Sequence, residues 1–318
     1  MRILSFDELT PEMERSRGLV NLAAFGNLFT SARIDFLRSR LRCFSEYVGV
    51  FGVEGDQVLG QVFVLRIPYD FPDGRGEISG IAAVGTLPEA GRTGVAEALL
   101  CDAHRREWEA GVRYAALWTN RSWGAHHLYE KLGYRDVYSA HFALHLPTAA
   151  RPRASRVRFA RPSDLDEIDR LHDRLAEGRV GYCRRLRGSL RADVRFRYID
   201  PATDLLVRRQ DGELVGYAHL DRDVRRVVCG EMVATALAVK RELVVGVEWT
   251  ANRLPTAFQH TLVTDSPRLF RGRSYMNGRA SWYGMLAADL SREWTTREAE
   301  KRFGTRDPRF ICLTGDQF

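Results

Sequence analysis

The segment from Val84 to Leu100 carries residue types that could hold a phosphate group. Its pattern predicts a strand, a turn containing Arg and Gly, and then an amphipathic helix. The first turn of a helix has backbone N–H groups without internal partners, and the helix dipole adds positive charge there. Gly94 lets a phosphate approach the backbone closely, and Arg92 offers a cation suited to phosphate oxygens. The segment therefore predicts a pyrophosphate-binding turn.

A second group of polar residues follows this helix. Residues 112–119 form a short apolar run that predicts a buried strand, and Asn120 and Ser122 come directly after it. The next segment predicts a short helix that carries Tyr129 and ends at Gly133 in the left-handed conformation. A further strand is predicted over 137–144.

The first of these segments resembles the GNAT superfamily, the acetyl-CoA-dependent N-acetyltransferases. The phosphate-binding turn of that family has the pattern Gln/Arg-x-x-Gly-x-Gly/Ala. Gly94 and Ala96 fit the last two positions, whereas Gly91 stands where Gln or Arg is expected. Arg92, one place later, is expected to supply the cation instead.

The second segment carries a linked motif of the same family. A small residue, Ala125, lies four places before Tyr129, and the pair Gly133-Tyr134 follows. The family often has Asn seven places before the tyrosine, and this chain has Ser122 there with Asn120 nearby. The resemblance covers residues 46–144 well and residues 1–45 loosely, as helices over the sheet.

The resemblance implies acetyl-CoA as co-substrate, and no metal is expected. The pantetheine arm would lie between two parallel strands that splay apart, and would pair with the backbone of Val84 and Thr86. The amides of the turn would hold the pyrophosphate. The expected coenzyme-binding residues are Val84, Thr86, Arg92, Thr93, Gly94, Val95, Ala96, Asn120 and Ser122.

The resemblance also implies a mechanism of direct attack, in which an amine attacks the thioester and a thiolate leaves. A phenol can donate the proton that the thiolate needs, so Tyr129 is the expected general acid. Glu77 is the expected base, acting directly or through water, and the C-terminal carboxylate of Phe318 is an alternative. The structural alternatives are that Tyr129 packs in the core and that Glu77 is a solvated carboxylate.

The acceptor is expected to be the primary amine of a small molecule. Phe29 lies on an early helix, and Tyr69 and Asp70 lie in a Pro-bounded segment, residues 67–73, that is expected to be a loop. A carboxylate beside aromatic rings suits a cationic amine. Alternatives are a protein N-terminal or lysine acetyltransferase and a non-catalytic acyl-CoA-binding sensor. A tandem aminoglycoside-acetylating enzyme is another, although that group carries a further lipid-carrier-like domain.

Two parts of the chain resemble each other. Residues 48–64 and 205–218 both predict a hairpin, the second through the turn signal Asp211-Gly212. We therefore expect an α/β (α+β) fold of two tandem GNAT-like domains, each a mixed, mostly antiparallel twisted sheet flanked by helices. The expected boundaries are 1–146 for the catalytic domain, 147–155 for a linker rich in Pro and small residues, and 156–318 for a degenerate copy without a coenzyme site. This copy could also make a homodimer.

The composition favours a cytoplasmic protein. The five cysteines of the 318 residues are scattered and form no CxxC pair, which argues against a disulfide framework or a zinc site. No segment is apolar enough to predict a membrane span. The net charge of +7 comes almost entirely from arginine, but no recognisable nucleic-acid-binding module is present. A nucleic-acid partner is therefore not expected.

Overall fold

The chain forms two compact units. The computed structural model describes residues 1–26, 47–147, 156–183, 188–195, 197–259, 269–270 and 275–312. Of these residues, unit 1 contains those within Met1–Tyr138 and Gly284–Phe303, and unit 2 contains those within Ser139–Tyr283 and from Gly304 to Cys312.

These units differ from the expected sequence boundaries. Residues 139–146 lie in unit 2, and residues 284–303 lie in unit 1. The physical reason is that two long strands, Arg135–His145 and Tyr275–Asp289, each carry residues of both units. Residues 148–155 of the expected linker lie outside the described residues.

The described part of unit 1 contains a sheet and four helices. The described residues of the whole chain also form three short 3₁₀ turns, at Phe6–Glu8, Pro88–Ala90 and Pro162–Asp164. The elements of unit 1 are β1 (Arg2–Ser5), α1 (Pro11–Phe25), β2 (Tyr47–Glu54), β3 (Gln57–Phe71), β4 (Gly74–Thr86), α2 (Val95–Glu109), β5 (Tyr114–Asn120), α3 (Ala125–Lys131), the first part of β6 (Arg135–His145), the last part of β12 (Tyr275–Asp289) and α8 (Thr296–Phe303).

Local sequence signals explain several of these boundaries. The hydroxyl of Thr10 accepts a hydrogen bond from the N–H of Met13 at 3.3 Å, and Pro11 occupies the first helical position of α1. Gly26 ends the same helix with φ of 67°. The hairpin β2–β3 turns through Gly55, which also has a positive φ, and the predicted hairpin is confirmed.

The sheet of unit 1 is antiparallel from β1 to β4 and becomes parallel only between β4 and β5. Helix α2 connects these two parallel strands. It packs its apolar face on the sheet through Val95, Leu99, Leu100 and Ala103, all buried. This burial stabilises the position of α2 against β2 and β3.

Unit 2 also contains strands and helices in alternation. Its elements are the last part of β6, β7 (Val157–Phe159), α4 (Leu165–Ala176), α5 (Ser189–Arg195), α6 (Pro201–Asp204), β8 (Leu205–Gln210), β9 (Glu213–Arg222), β10 (Val227–Ala234), α7 (Leu237–Ala251), β11 (Thr256–Gln259) and the first part of β12.

The pairing in unit 2 follows the same scheme as in unit 1. Strands β7 to β10 pair antiparallel, and β10 pairs with β11 in parallel across α7. The hairpin β8–β9 turns through Asp211 and Gly212, both at positive φ, as the sequence predicts. The apolar residues of α7, including Val244 and Val247, pack in a core with Leu206 and Leu220.

The α/β class, with mostly antiparallel sheets flanked by helices, is confirmed. Among the described residues, no helix has both the length and the apolar character needed to cross a bilayer.

Candidate active site

Strand β4 contains a β-bulge near its end. Phe63 of β3 pairs with Ala82, and Gln61 pairs with Gly85, so two residues of β4 oppose Val62 alone. One of them, Ala83, has φ of 48°, a conformation that residues with a side chain rarely adopt. A bulge increases the local twist and bends the strand. The end of β4 is therefore directed differently from its beginning.

The bulge is held by a buried side chain. Gln61 is fully buried, and its Nε2 donates to the carbonyl oxygen of Ala83 at 3.3 Å and to Oδ1 of Asn21 at 3.1 Å. Asn21, on α1, in turn donates to the carbonyl oxygen of Arg17 at 3.2 Å. A hydrogen-bonded chain from α1 thus stabilises the strained residue of β4.

The two parallel strands of unit 1 pair over only three residues. Ile78, Ser79 and Gly80 of β4 lie opposite Tyr114, Ala115 and Ala116 of β5. Both strands continue beyond this point, to Thr86 and Asn120, without further pairing to each other within the described part of the chain. The strands therefore diverge, and backbone groups on this edge of β4, including those of Val84 and Thr86, can pair with an extended ligand.

The turn after β4 presents a run of backbone N–H groups. Gly94 precedes α2 with φ of 88°. Apart from its two chain neighbours, no described residue has a heavy atom within 4 Å of the position that a Cβ would take. Ala98 is the first residue of the helix whose N–H is hydrogen-bonded, and it donates to the carbonyl oxygen of Gly94 at 2.9 Å. The N–H groups of residues 92–97 have no acceptor among the described residues. Such a run at a helix N-terminus suits a phosphate group.

The side chains of the turn add to this arrangement. Arg92 is exposed and has φ of 61°, and Thr93 donates from its Oγ1 to the carbonyl oxygen of Ala90 at 2.8 Å. Val95 is buried in the core, and Ala96 is half-buried. All five predicted residues of the turn, 92–96, therefore lie at the N-terminus of α2.

A buried carboxylate fixes α2 to the strand from which the turn begins. Glu107 is fully buried, accepts from Ser79 Oγ at 2.8 Å, and accepts from Arg66 at 3.0 and 3.3 Å. Ser79 lies in the three-residue stretch where β4 and β5 pair. The carboxylate therefore fixes α2 close to the point where the strands diverge.

Tyr129 lies on α3, the helix that follows β5. It is 6% exposed and packs on Tyr134 with ring centroids 5.8 Å apart. Burial raises the pKa of its phenol to about 12, so it is protonated at neutral pH. No described residue forms a hydrogen bond with its hydroxyl, whereas the hydroxyl of Tyr134 lies 2.8 Å from His104 Nε2. Tyr129 is therefore the phenol of this pair that can bond to a ligand.

Asn120 and Ser122 form a turn at the end of β5. Oδ1 of Asn120 accepts from the N–H and the hydroxyl of Ser122 at 2.9 and 2.8 Å. The two side chains are therefore hydrogen-bonded to each other within the turn. Contact of either residue with a coenzyme stays a prediction.

Glu77 lies on β4 opposite Pro68 of β3, and its side chain is exposed. It precedes the paired stretch that begins at Ile78, so it lies on the other side of this stretch from the diverging part of the strand. Water or the substrate itself would have to connect Glu77 to the diverging part of the strands. A role of Glu77 as base therefore stays a prediction.

The predicted acceptor residues lie on a strand instead of a loop. The expectation of a loop over residues 67–73 is wrong, because β3 continues to Phe71 and turns directly into β4. Pro68 is accommodated there since this part of β3 pairs with β4 alone among the described strands. Phe29 lies outside the described residues.

Tyr69 and Asp70 are both buried in the structure. The hydroxyl of Tyr69 donates to the carbonyl oxygen of Phe303 at 3.0 Å, and its ring packs on Phe71 at 4.8 Å. Asp70 lies 3.7 Å from Nε of Arg75. Binding of an acceptor by these residues stays a prediction.

The sequence analysis did not single out Gln61, Ala83 or Glu107. Gln61 could have been noticed as a polar residue within an apolar strand, and Glu107 as a carboxylate in the last turns of an amphipathic helix. No residue type marks Ala83, because its conformation is imposed by the pairing of β3 with β4.

Part of unit 1 matches the model of a known domain family. Residues 14–137 match the model of a family described as acetyltransferase (GNAT) domain. This part of the chain is therefore similar to GNAT acetyltransferase domains, and the similarity supports acyl transfer in general. None of the curated proteins matches the chain significantly.

Solved structures show the same fold over nearly the whole chain. A conserved protein of unknown function from Enterococcus faecalis is 14% identical, with a TM-score of 0.68 over 91% of this chain and 72% of the other. A GCN5-related N-acetyltransferase from Anabaena variabilis is 15% identical, with a TM-score of 0.66 over 91% and 73%. Eis1 from Mycobacterium abscessus is 17% identical, with a TM-score of 0.60 over 91% and 74%.

Proposed function

We propose that this protein transfers an acetyl group from acetyl-CoA to the primary amine of a small molecule. The observation that carries the proposal is the divergence of β4 from β5 after Gly80, which leads along β4 to the run of N–H groups at residues 92–97. An extended thioester carrier needs both features, one for its pantetheine arm and one for its diphosphate.

The residues of unit 1 fit this co-substrate. The N–H groups of Arg92, Thr93, Gly94, Val95 and Ala96 would hold the pyrophosphate, with the Arg92 guanidinium as an additional cation. Val84 and Thr86 would pair with the pantetheine amides through the edge of β4. The absence of a Cβ at Gly94 supports close approach of a phosphate, since no other atom fills this space.

Tyr129 is the proposed general acid. The amine nitrogen bonds to the thioester carbonyl carbon, the carbon–sulfur bond breaks, and the leaving thiolate takes the phenolic proton. The Tyr129 hydroxyl has no hydrogen-bond partner among the described residues, which supports this role, because a structural tyrosine such as Tyr134 is bonded within the core. Glu77 would take the proton lost by the amine, through water.

The proposed acceptor is a small cationic amine. A carboxylate, Asp70, lies beside the aromatic residues Tyr69 and Phe71 on β3. Consecutive residues of a strand face opposite sides of the sheet, so the carboxylate of Asp70 would pair with the ammonium group by its charge, separately from the two rings.

Unit 2 is proposed to be a degenerate copy that lacks the coenzyme turn. The strand order of the two units agrees, which supports a common ancestry of the fold. However, Ala236 precedes α7 with an extended φ of −149°, where Gly94 precedes α2 with φ of 88°. A side chain at this position disfavours the close approach of a phosphate.

Calorimetry and a thiol-release assay test the proposal together. We expect acetyl-CoA to bind with one site per chain, and thiol release to depend on a member of a panel of polyamines, amino sugars and amino acids. Peptides with free N-termini and lysine side chains form the second arm. Activity on peptides alone would contradict the small-molecule acceptor, and the absence of binding heat with any acyl-CoA would contradict the whole proposal.

A further inference from the structure

Three potential metal ligands lie together on α3. The donor atoms of His126, His127 and Glu130 are within 4.8 Å of one another. Oε2 of Glu130 is 3.5 Å from Nδ1 of His126 and 3.2 Å from Nδ1 of His127. The ligand atoms of a tetrahedral zinc ion lie about 3.3 Å apart, given metal–ligand bonds of about 2 Å. The spacing in the protein is thus close to that of a coordinated set.

A carboxylate outside this group orients the buried histidine. Nε2 of His126 lies 3.0 Å from Oδ2 of Asp136, the second residue of β6. When Nε2 carries the proton of a neutral imidazole, the lone pair of Nδ1 faces the carboxylate of Glu130. Two acceptors that face each other are stabilised by a cation between them. A histidine that donates to a carboxylate through its other nitrogen is also the usual arrangement at metal centres.

The neighbouring cations do not occupy this position. Lys131 pairs with Glu97 of α2 at 2.7 Å, and Arg121 pairs with the other oxygen of Asp136. His127 is 85% exposed and Glu130 is 49% exposed, so an ion can enter from solvent and His127 can adjust its position.

We propose that His126, His127 and Glu130 bind a divalent first-row transition ion, with Zn²⁺ as the reference ion. Two imidazole nitrogens and one carboxylate oxygen form a ligand set that Zn²⁺, Ni²⁺ and Cu²⁺ accept, whereas Mg²⁺ and Ca²⁺ prefer oxygen ligands. The ion would connect α3 to β6 through Asp136. It is separate from the acetyl transfer proposed above, because Tyr129 is buried beside Tyr134 whereas His127 and Glu130 are exposed to solvent.

Titration of the full chain with ZnCl₂ in a calorimeter tests this site. We expect one ion per chain for the wild type, and MgCl₂ should give no heat. His127→Ala and Glu130→Gln should each weaken Zn²⁺ binding by about tenfold or more, a range known for losses at metal sites. Both residues are exposed, so these variants are expected to fold. Glu97→Gln removes a nearby exposed carboxylate and should leave the affinity unchanged.

A second readout separates the proposed site from the exposed thiol of Cys101 on α2. With Co²⁺ as the probe, the wild type should show d–d absorption without a thiolate charge-transfer band, and Cys101→Ser should bind as the wild type does. Loss of binding in Cys101→Ser, equal binding in His127→Ala, or no binding by the wild type would each overturn the proposal.

Discussion

The side chain of Gln61 is hydrogen-bonded to the backbone of Ala83, with 3.3 Å between Nε2 and the carbonyl oxygen. This bond joins β3 to the one residue of β4 other than glycine that has a positive φ. A strained residue persists where its surroundings over-determine it, and such residues concentrate at functional sites. The diverging strands of the proposed coenzyme site therefore depend on a buried amide.

Replacement of Gln61 should weaken coenzyme binding and stability together. Gln61→Met removes both hydrogen bonds and leaves Asn21 Oδ1 without this donor, so the free energy of unfolding should fall by about 1–3 kcal/mol. Urea denaturation and calorimetry with acetyl-CoA measure the two effects. Gln57→Met, an exposed change on the same strand, should alter stability by less than about 0.5 kcal/mol. Unchanged acetyl-CoA affinity in Gln61→Met would contradict the role of the bulge.

Two glycines of α2 offer a matched test of the phosphate turn. Gly94 before the helix and Gly111 after it have the same φ of 88°, and both have open space at the Cβ position. Alanine at either position should therefore cost about 1–2 kcal/mol of stability through backbone strain. Only Gly94→Ala places a methyl group where a phosphate is proposed, so it alone should weaken acetyl-CoA binding. We expect a loss of about tenfold in affinity, which corresponds to roughly 1.4 kcal/mol of binding free energy. Equal affinities of the two variants would be evidence against a phosphate at this turn.

Tyr129 and Tyr134 form a second matched pair. Tyr129→Phe should lower kcat by about a hundredfold or more, since general acid catalysis contributes factors of this size, while the Kd for acetyl-CoA stays within about twofold. Tyr134→Phe removes a hydroxyl that is bonded to His104 and should lower stability by about 1 kcal/mol with little change in kcat. Steady-state kinetics and calorimetry on both variants distinguish the roles. A similar kcat in the two variants would indicate that Tyr129 is a packing residue.

The stability of the protein should depend on His104 at acidic pH. Burial lowers the pKa of this imidazole from 6.5 to about 4 in the folded chain. Between these values the unfolded chain binds a proton that the folded chain does not, so the free energy of unfolding decreases as the pH falls from 6.5 to 4. The loss is about 3 kcal/mol, and the contribution is fully present above pH 6.5.

Urea denaturation at several pH values checks this expectation. His104→Gln keeps a hydrogen-bonding group near Tyr134 but cannot titrate, so its stability should fall less steeply over the same range. If the two proteins lose stability in parallel, the pKa of His104 is not lowered in the folded state.

Much of the candidate site could be predicted because it rests on local sequence. Helix α2 occupies Val95–Glu109 as expected, because Gly94 takes the left-handed conformation before it and apolar residues recur on one face. Helix α3 ends before Gly133, again at a positive φ. The turn, its glycine and the tyrosine are short-range features, and each residue type there has few conformational alternatives.

The sequence alone determined the class of fold, the glycine turn before α2 and the short helix that carries Tyr129. Only the tertiary structure decided that β4 bulges at Ala83, that Glu107 fixes α2 to Ser79, and that residues 67–71 continue a strand with Tyr69 buried. It also brought Asp136 of β6 to His126 of α3. The physical reason is that these features depend on pairing and packing between distant segments, and the local propensities of the residues involved favour no single outcome.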